Sequence, residues 1–160
     1  MKLEKSIKVW HVIHVSLFIF ALYLILKTFN LQFAIPESES VTGSLFLIQD
    51  KNKSNDYVIF KYNSIDYKSY HKDKLFIKKV GCDSGQHLSV KDHKVVCDKK
   101  IIATVFEKNG EGDILPSFYY DGIIPDNNFF ALGEHARSFD SRYFGLVEKI
   151  QITNSARRVF

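Results

Sequence analysis

Three serines stand close together in the stretch IPESESVTGS: Ser38, Ser40 and Ser44. A serine hydroxyl is a weak nucleophile until a neighbouring base takes its proton. Histidine is the usual base, but His135 merely lies near Asp140 in the chain, and no G-x-S-x-G pattern surrounds any candidate serine. His11 and His14 fall on one face of an apolar segment, where packing is their simplest role. Lysine can act instead, provided burial lowers its pKa until the amine is neutral. The run LFIKKVG, residues 75–81, places two lysines among strand-forming apolar residues. Strand alternation sends Phe76, Lys78 and Val80 to one face and Ile77 and Lys79 to the other. The simplest alternative is a lysine pair that protects a sheet edge.

A second polar concentration is SFDSRYFG, residues 138–145. It is too polar for a buried strand and too aromatic for a solvated loop. Cys82 and Cys97 enclose His87 and His93 in the order C-x4-H-x5-H-x3-C. Structural zinc sites bring their ligands in tight pairs such as C-x2-C, and this spacing has none, so no metal is assigned. A disulfide and two free thiols both stay open, the disulfide being favoured if the segment lies in an oxidising compartment.

The elements that must position these groups begin with residues 9–26, VWHVIHVSLFIFALYLIL, eighteen positions without a formal charge between Lys8 and Lys27. That length is near the lower limit for a membrane-spanning helix. A cleavable signal has an apolar core of about 7–15 residues ending in small residues, whereas here Lys27, Thr28, Phe29 and Asn30 follow. The reading is an uncleaved anchor. Lys2, Lys5 and Lys8 against Glu4 make the leading side basic, which places residues 1–8 in the cytoplasm and the remainder across the bilayer. The formal charge of +4 owes most to residues 1–36, which hold four of the 22 basic residues and one of the 18 acidic ones. The charge gives no warrant for a nucleic-acid site, which would need a basic face on the folded domain, and no nucleic-acid partner is expected.

Residues 27–36 read as a membrane-proximal linker ending at Pro36, and residues 37–160 as the outer domain. There, LFLI, YVIFKY, LFIKKV, HLSVKDHKVV, KIIATVF, FFAL and FGLVEKIQI are strand-length runs, separated by DKNKSND, GCDSGQ, KNGEGD and IPDNN. The pattern predicts a mostly β fold: one antiparallel β domain tethered by one N-terminal transmembrane helix.

Taken together, these segments resemble the serine-lysine type I signal peptidases, or leader peptidases. SFDSRYFG matches that family's closing box at Ser138, Asp140, Ser141, Arg142, Tyr143 and Gly145. Upstream, Gly133, Glu134 and His135 stand where the family has Gly-Asp-Asn. FIKKVGCDSGQ resembles F-[IV]-K-R-V-x-G-x-P-G-D at Lys78, Val80 and Gly85, with Lys79 for Arg and Ser84 and Gln86 for Pro and Asp. IPESESV resembles I-P-S-G-S-M. The conjugative-transfer, TraF-type branch tends to show S-x-P-x-G-x-[YF], and Ser40 precedes Phe46 by that spacing, with Thr42 and Ser44 in place of Pro and Gly.

The resemblance implies a signal-peptidase-type fold and a serine endopeptidase without cofactor. It assigns Ser40 as nucleophile, Lys78 as general base, and the Ser38 hydroxyl with the Ser40 N–H as oxyanion donors. Ser138 would position the lysine amine, and Asp140 and Arg142 would form a supporting ion pair. The implied substrate is the leader peptide of an exported precursor, or a propilin, cut in the periplasm by a domain anchored in a bacterial inner membrane beside conjugation-apparatus proteins. A housekeeping leader peptidase and a non-catalytic scaffold of a secretion complex are the alternatives. Lys79 and Ser44 are the internal comparisons for Lys78 and Ser40.

Overall fold

The computed structural model describes residues 2–53, 56–62 and 74–160; Ser54 and Asn55, within the DKNKSND turn, lie outside them. The chain divides into two units, Met1–Phe33 and Ala34–Phe160.

The first unit is dominated by helix α1, Lys2–Thr28. Its part Trp10–Thr28 has a mean hydropathy of 1.7 and is long and apolar enough to cross a membrane. The helix closes where Asn30 takes a left-handed φ of 48°, which lets the Leu31 N–H reach back to the Leu26 carbonyl at 3.0 Å. Strand β1, Gln32–Ala34, straddles the unit boundary.

The second unit is mostly antiparallel β. Its strands are β2 Phe46–Gln49, β3 Tyr57–Lys61, β4 Leu75–Asp83, β5 His87–Lys91, β6 Lys94–Cys97, β7 Lys100–Thr104, β8 Tyr120–Ile123, β9 Asn128–Leu132, β10 Val147–Glu148 and β11 Ile152–Arg158. A short helix α2, Ser141–Phe144, precedes β10. Six strands of the larger sheet run in the order β2-β11-β3-β4-β9-β10, and a four-stranded sheet runs β7-β6-β5-β8. One face of the larger sheet carries Phe46, Tyr57, Ile59 and Ala156 and is covered by Val41. The opposite face buries Val58, Phe60, Phe129, Ala131 and Val147. The smaller sheet closes on β4 and β9 through Leu88, Val90, Val95 and Phe130. Cys82 of β4 and Cys97 of β6 are joined by a disulfide, Cα–Cα 5.8 Å, which ties one sheet to the other. His87 and His93 point elsewhere, His87 to Asp121 at 3.7 Å and His93 to Glu107 at 3.6 Å.

Several segments differ from their sequence reading. HLSVKDHKVV is a hairpin rather than one run, turning at Asp92 and His93, both left-handed at φ 49° and 59°. The next turn repeats the device at Asp98 and Lys99, φ 44° and 69°. Two consecutive left-handed residues match the right-handed strand twist. β4 runs on through Gly81 and Cys82 into the presumed turn GCDSGQ. FGLVEKIQI is not one strand: Phe144 ends α2, Val147–Glu148 pairs with β9, and Lys149–Gln151 makes a 3-10 turn that redirects the chain into β11 between β2 and β3.

Candidate active site

Lys78 sits in the middle of the larger sheet, registered against Val58 of β3, and only 3% of its surface is exposed. Its Nζ donates to the Ser138 hydroxyl at 2.7 Å and lies 5.4 Å from the Phe76 ring centre. Burial favours the neutral amine; Asp140 opposes that and Arg142 reinforces it, and together they lower the pKa from 10.5 to about 8.

The polarity of SFDSRYFG is resolved by complete pairing inside the protein. Asp140, fully buried, caps α2 by accepting from the Arg142 N–H at 3.1 Å and also accepts the Gly133 N–H at 2.8 Å. The Arg142 guanidinium grips the same carboxylate in a fork, Nε to Oδ1 at 2.8 Å and NH2 to Oδ2 at 2.7 Å. Its other N–H groups donate to the carbonyls of Thr104, His135, Ala136 and Ser138. The Ser141 hydroxyl accepts the Ala131 N–H at 2.9 Å, and Tyr143 stacks on Phe139. This block holds the loop that carries Ser138 against the end of β9. Gly133 is obligatory there: a Cβ would run into the Ser138 side chain and come within 2.9 Å of the Ser40 carbonyl.

Ser38 and Ser40 lie on the segment between β1 and β2, which has no regular secondary structure around them. The Ser38 hydroxyl donates to the Ser40 hydroxyl at 2.9 Å. The Ser40 carbonyl accepts the N–H groups of Glu134 at 2.8 Å and His135 at 3.3 Å. Ser38, Ser40 and Lys78 line one groove of about 710 Å³, floored by Ile48, Ile59, Ile77 and Asn154. Among the described residues no hydrogen bond joins Ser40 to Lys78; the amine is held by Ser138 and the hydroxyl by Ser38.

Lys79 is not the inert comparison that alternation alone suggested. It does leave by the opposite face, but there it pairs with Glu134 at 2.7 Å. Burial works against the Glu134 charge, yet hydrogen bonds from Lys79 and the Thr42 N–H outweigh it and hold the carboxyl below its ordinary value. Arg158 and the Tyr57 hydroxyl complete the cluster. Sequence reading noted Glu134 only as a departure from Gly-Asp-Asn and missed Arg158 and Tyr57 altogether; no local pattern marks them.

The chain belongs to the signal peptidase family: the family model described as signal peptidase, peptidase S26, matches residues 9–160. It is similar to a conjugal transfer protein TraF of Agrobacterium tumefaciens (strain 15955), 34% identical over 86 residues. That match takes in 52% of this chain and 48% of the relative, about half the length of each. A crystal structure of a signal peptidase I from Enterococcus faecalis V583 has a TM-score of 0.41 and 16% identity, covering 67% of this chain and 98% of that one.

Proposed function

We propose that this chain is a membrane-anchored serine endopeptidase that removes leader peptides from exported precursors with a Ser40/Lys78 dyad. The observation that carries the reading is a buried lysine, its pKa lowered to about 8, in the lining of the groove that also holds Ser38 and Ser40. Neutral Lys78 takes the Ser40 proton as Oγ attacks the scissile carbonyl. The oxyanion is held by the Ser40 N–H and the Ser38 hydroxyl, and losing one such donor typically costs about 2.7–4 kcal/mol of transition-state stabilisation. The Lys78 ammonium then protonates the departing amine, and a water molecule, deprotonated in turn by Lys78, releases the acyl group from Ser40.

Resemblance to signal peptidases supports a substrate that binds as an extended strand beside the groove and brings its scissile carbonyl to the serines. The Ile48, Ile59 and Ile77 floor suits small or apolar side chains before the cut. The apolar helix supports an anchor in the inner membrane, and the basic residues 1–8 support a periplasmic peptidase domain. Similarity to a conjugal transfer protein supports a precursor from the transfer apparatus, a propilin foremost.

The test is cleavage, by the full chain in detergent micelles, of an internally quenched peptide with Ala-Gln-Ala before the scissile bond. Ser40→Ala, Lys78→Ala and the double variant should lose activity to nearly the same extent, because groups serving one proton transfer are strongly non-additive. Loss in Ser44→Ala but not Ser40→Ala moves the nucleophile; survival in all of them removes the enzyme reading.

A further inference from the structure

The segment that carries Ser40 has no ladder of its own to hold it. Its carbonyl at Ser40 is pinned by the N–H groups of Glu134 and His135. Two residues on, the Thr42 N–H donates to Glu134 Oε2 at 2.6 Å, and the Ser44 N–H donates to the Phe160 carbonyl at 2.9 Å. The Glu134 carboxylate therefore takes hold of the segment just past the serine.

The same carboxylate is tied to two strands. Arg158 of β11 donates through NH2 to both of its oxygens, at 2.8 and 2.6 Å, and Lys79 of β4, the direct neighbour of Lys78, lies 2.7 Å away. Both cations lie over the Tyr57 ring, Arg158 at 5.2 Å and Lys79 at 5.4 Å, while the Tyr57 hydroxyl donates to Glu134 at 3.1 Å. Among the described residues Arg158 Nε is buried without a hydrogen-bond partner, while its NH2 is committed to Glu134. Gly43 leaves room for the chain end and for the Arg158 stem: with φ +115°, a Cβ there would come within 2.5 Å of the Phe160 carbonyl and 3.0 Å of Arg158 Cγ and Cδ.

Attack requires the serine oxygen within hydrogen-bond reach of the base, about 2.6–3.2 Å. A misplacement of about 1 Å typically costs about a hundredfold in rate. The position of Ser40 relative to Lys78 is set by whatever joins their two segments, and Glu134 joins them through Thr42 on one side and Lys79 on the other. We propose that Glu134 and Arg158 are positioning residues, a latch that fixes the nucleophile segment on the strand bearing the general base. The latch touches neither substrate nor reacting atoms. It rests on the assignment of Ser40 and Lys78 to catalysis.

The latch predicts a particular kinetic signature in the full chain, read with the Ala-Gln-Ala peptide. Glu134→Ala and Arg158→Ala should each lower kcat at least about tenfold with KM within about twofold, and the double variant should lose little more, since the two act as one unit. Glu134→Gln, which keeps an acceptor for the Thr42 N–H, should recover part of the loss, and so should Arg158→Lys. Activity is compared per folded molecule, judged by circular dichroism; a variant that fails to fold yields to its conservative counterpart, whose kcat decides. Unchanged kcat in Glu134→Gln and Arg158→Lys together with unchanged kcat in any folded alanine variant overturns the latch, as does a loss confined to KM or fully multiplicative losses. Retention of cleavage in Ser40→Ala or Lys78→Ala, or no cleavage by the unaltered chain, overturns the site reading and the latch with it. Loss in those two with normal kcat in the latch variants overturns the latch alone.

Discussion

Lys78 is a buried side chain that is costly to the fold and, under the proposed mechanism, serves as the general base. Its amine is most reactive when neutral, and burial lowers its pKa to about 8. The logarithm of kcat/KM should therefore rise with pH at about unit slope below 8 and level off above it, a profile read on the free enzyme. The stability consequence has its own sign. The folded value lies below the ordinary 10.5, so between about 8 and 10.5 the unfolded chain binds more protons and stability rises with pH. Below about 8 the full penalty is present, on the order of 3 kcal/mol. Lys78→Met should accordingly raise stability at pH 7 by about 1–3 kcal/mol, the Ser138 hydroxyl losing one partner, while cleavage is abolished. A melting temperature no higher than that of the unaltered chain contradicts the cost assigned to burial.

At the scale of elements, the site depends on close approach between the end of β9 and the two loops that meet it. Gly133 allows this approach, and two glycine substitutions separate steric from conformational effects. Gly133→Ala drives a methyl group into Ser138 and the Ser40 carbonyl, so activity should fall at least about a hundredfold, as expected for a displaced reacting group. Gly85→Ala meets no atom within 4 Å and carries only the strain of φ +80°, so it should cost about 1 kcal/mol with normal kcat. Thermal unfolding and peptide cleavage of both variants distinguish the two cases. The buried Asp140–Arg142 fork belongs to the same scale: Arg142→Met leaves a carboxylate buried and uncompensated, which should destabilise by about 3–5 kcal/mol. Asp140 and Arg142 replaced together by apolar residues should cost less than Arg142→Met alone.

Across the whole molecule, the Cys82–Cys97 bond connects β4, the strand of Lys78, to the smaller sheet and closes a separation of 15 residues. In the chain-entropy account a loop of that size stabilises by about 3 kcal/mol. Replacing both cysteines by serine should lower the unfolding midpoint by a comparable amount and leave cleavage by the folded fraction intact. Thiol labelling of the unreduced, denatured chain should find no free cysteine; two labelled thiols contradict the bond. The topology is testable independently. Lysines at the leading edge of α1 favour a cytoplasmic start, so a reporter fused after Phe160 that is active only outside the cytoplasm should report activity. Protection of the unit Ala34–Phe160 from protease in spheroplasts contradicts that orientation.

The division between what was legible in the chain and what was not follows the range of the interactions. An apolar run with basic flanks, alternation in LFIKKVG, and the closing box were legible because each depends on residues within a few positions of one another. The strand runs were legible for the same reason, although the hairpins at Asp92-His93 and Asp98-Lys99 were not: neither carries the Asn-Gly or Asp-Gly signal of such turns. FGLVEKIQI was misread because its apolar content does not reveal that three successive elements share it. The burial of Lys78 was only one of two local readings, and the sheet decided it by placing β3 and β9 on either side of β4. Glu134, Thr42, Lys79 and Arg158 lie far apart in sequence, Thr42 and Glu134 by 92 residues. Their convergence requires β11 to insert between β2 and β3 and the end of β9 to reach the serine segment. Local propensity carries no record of such pairings, because their free energy exists only once the strands have met.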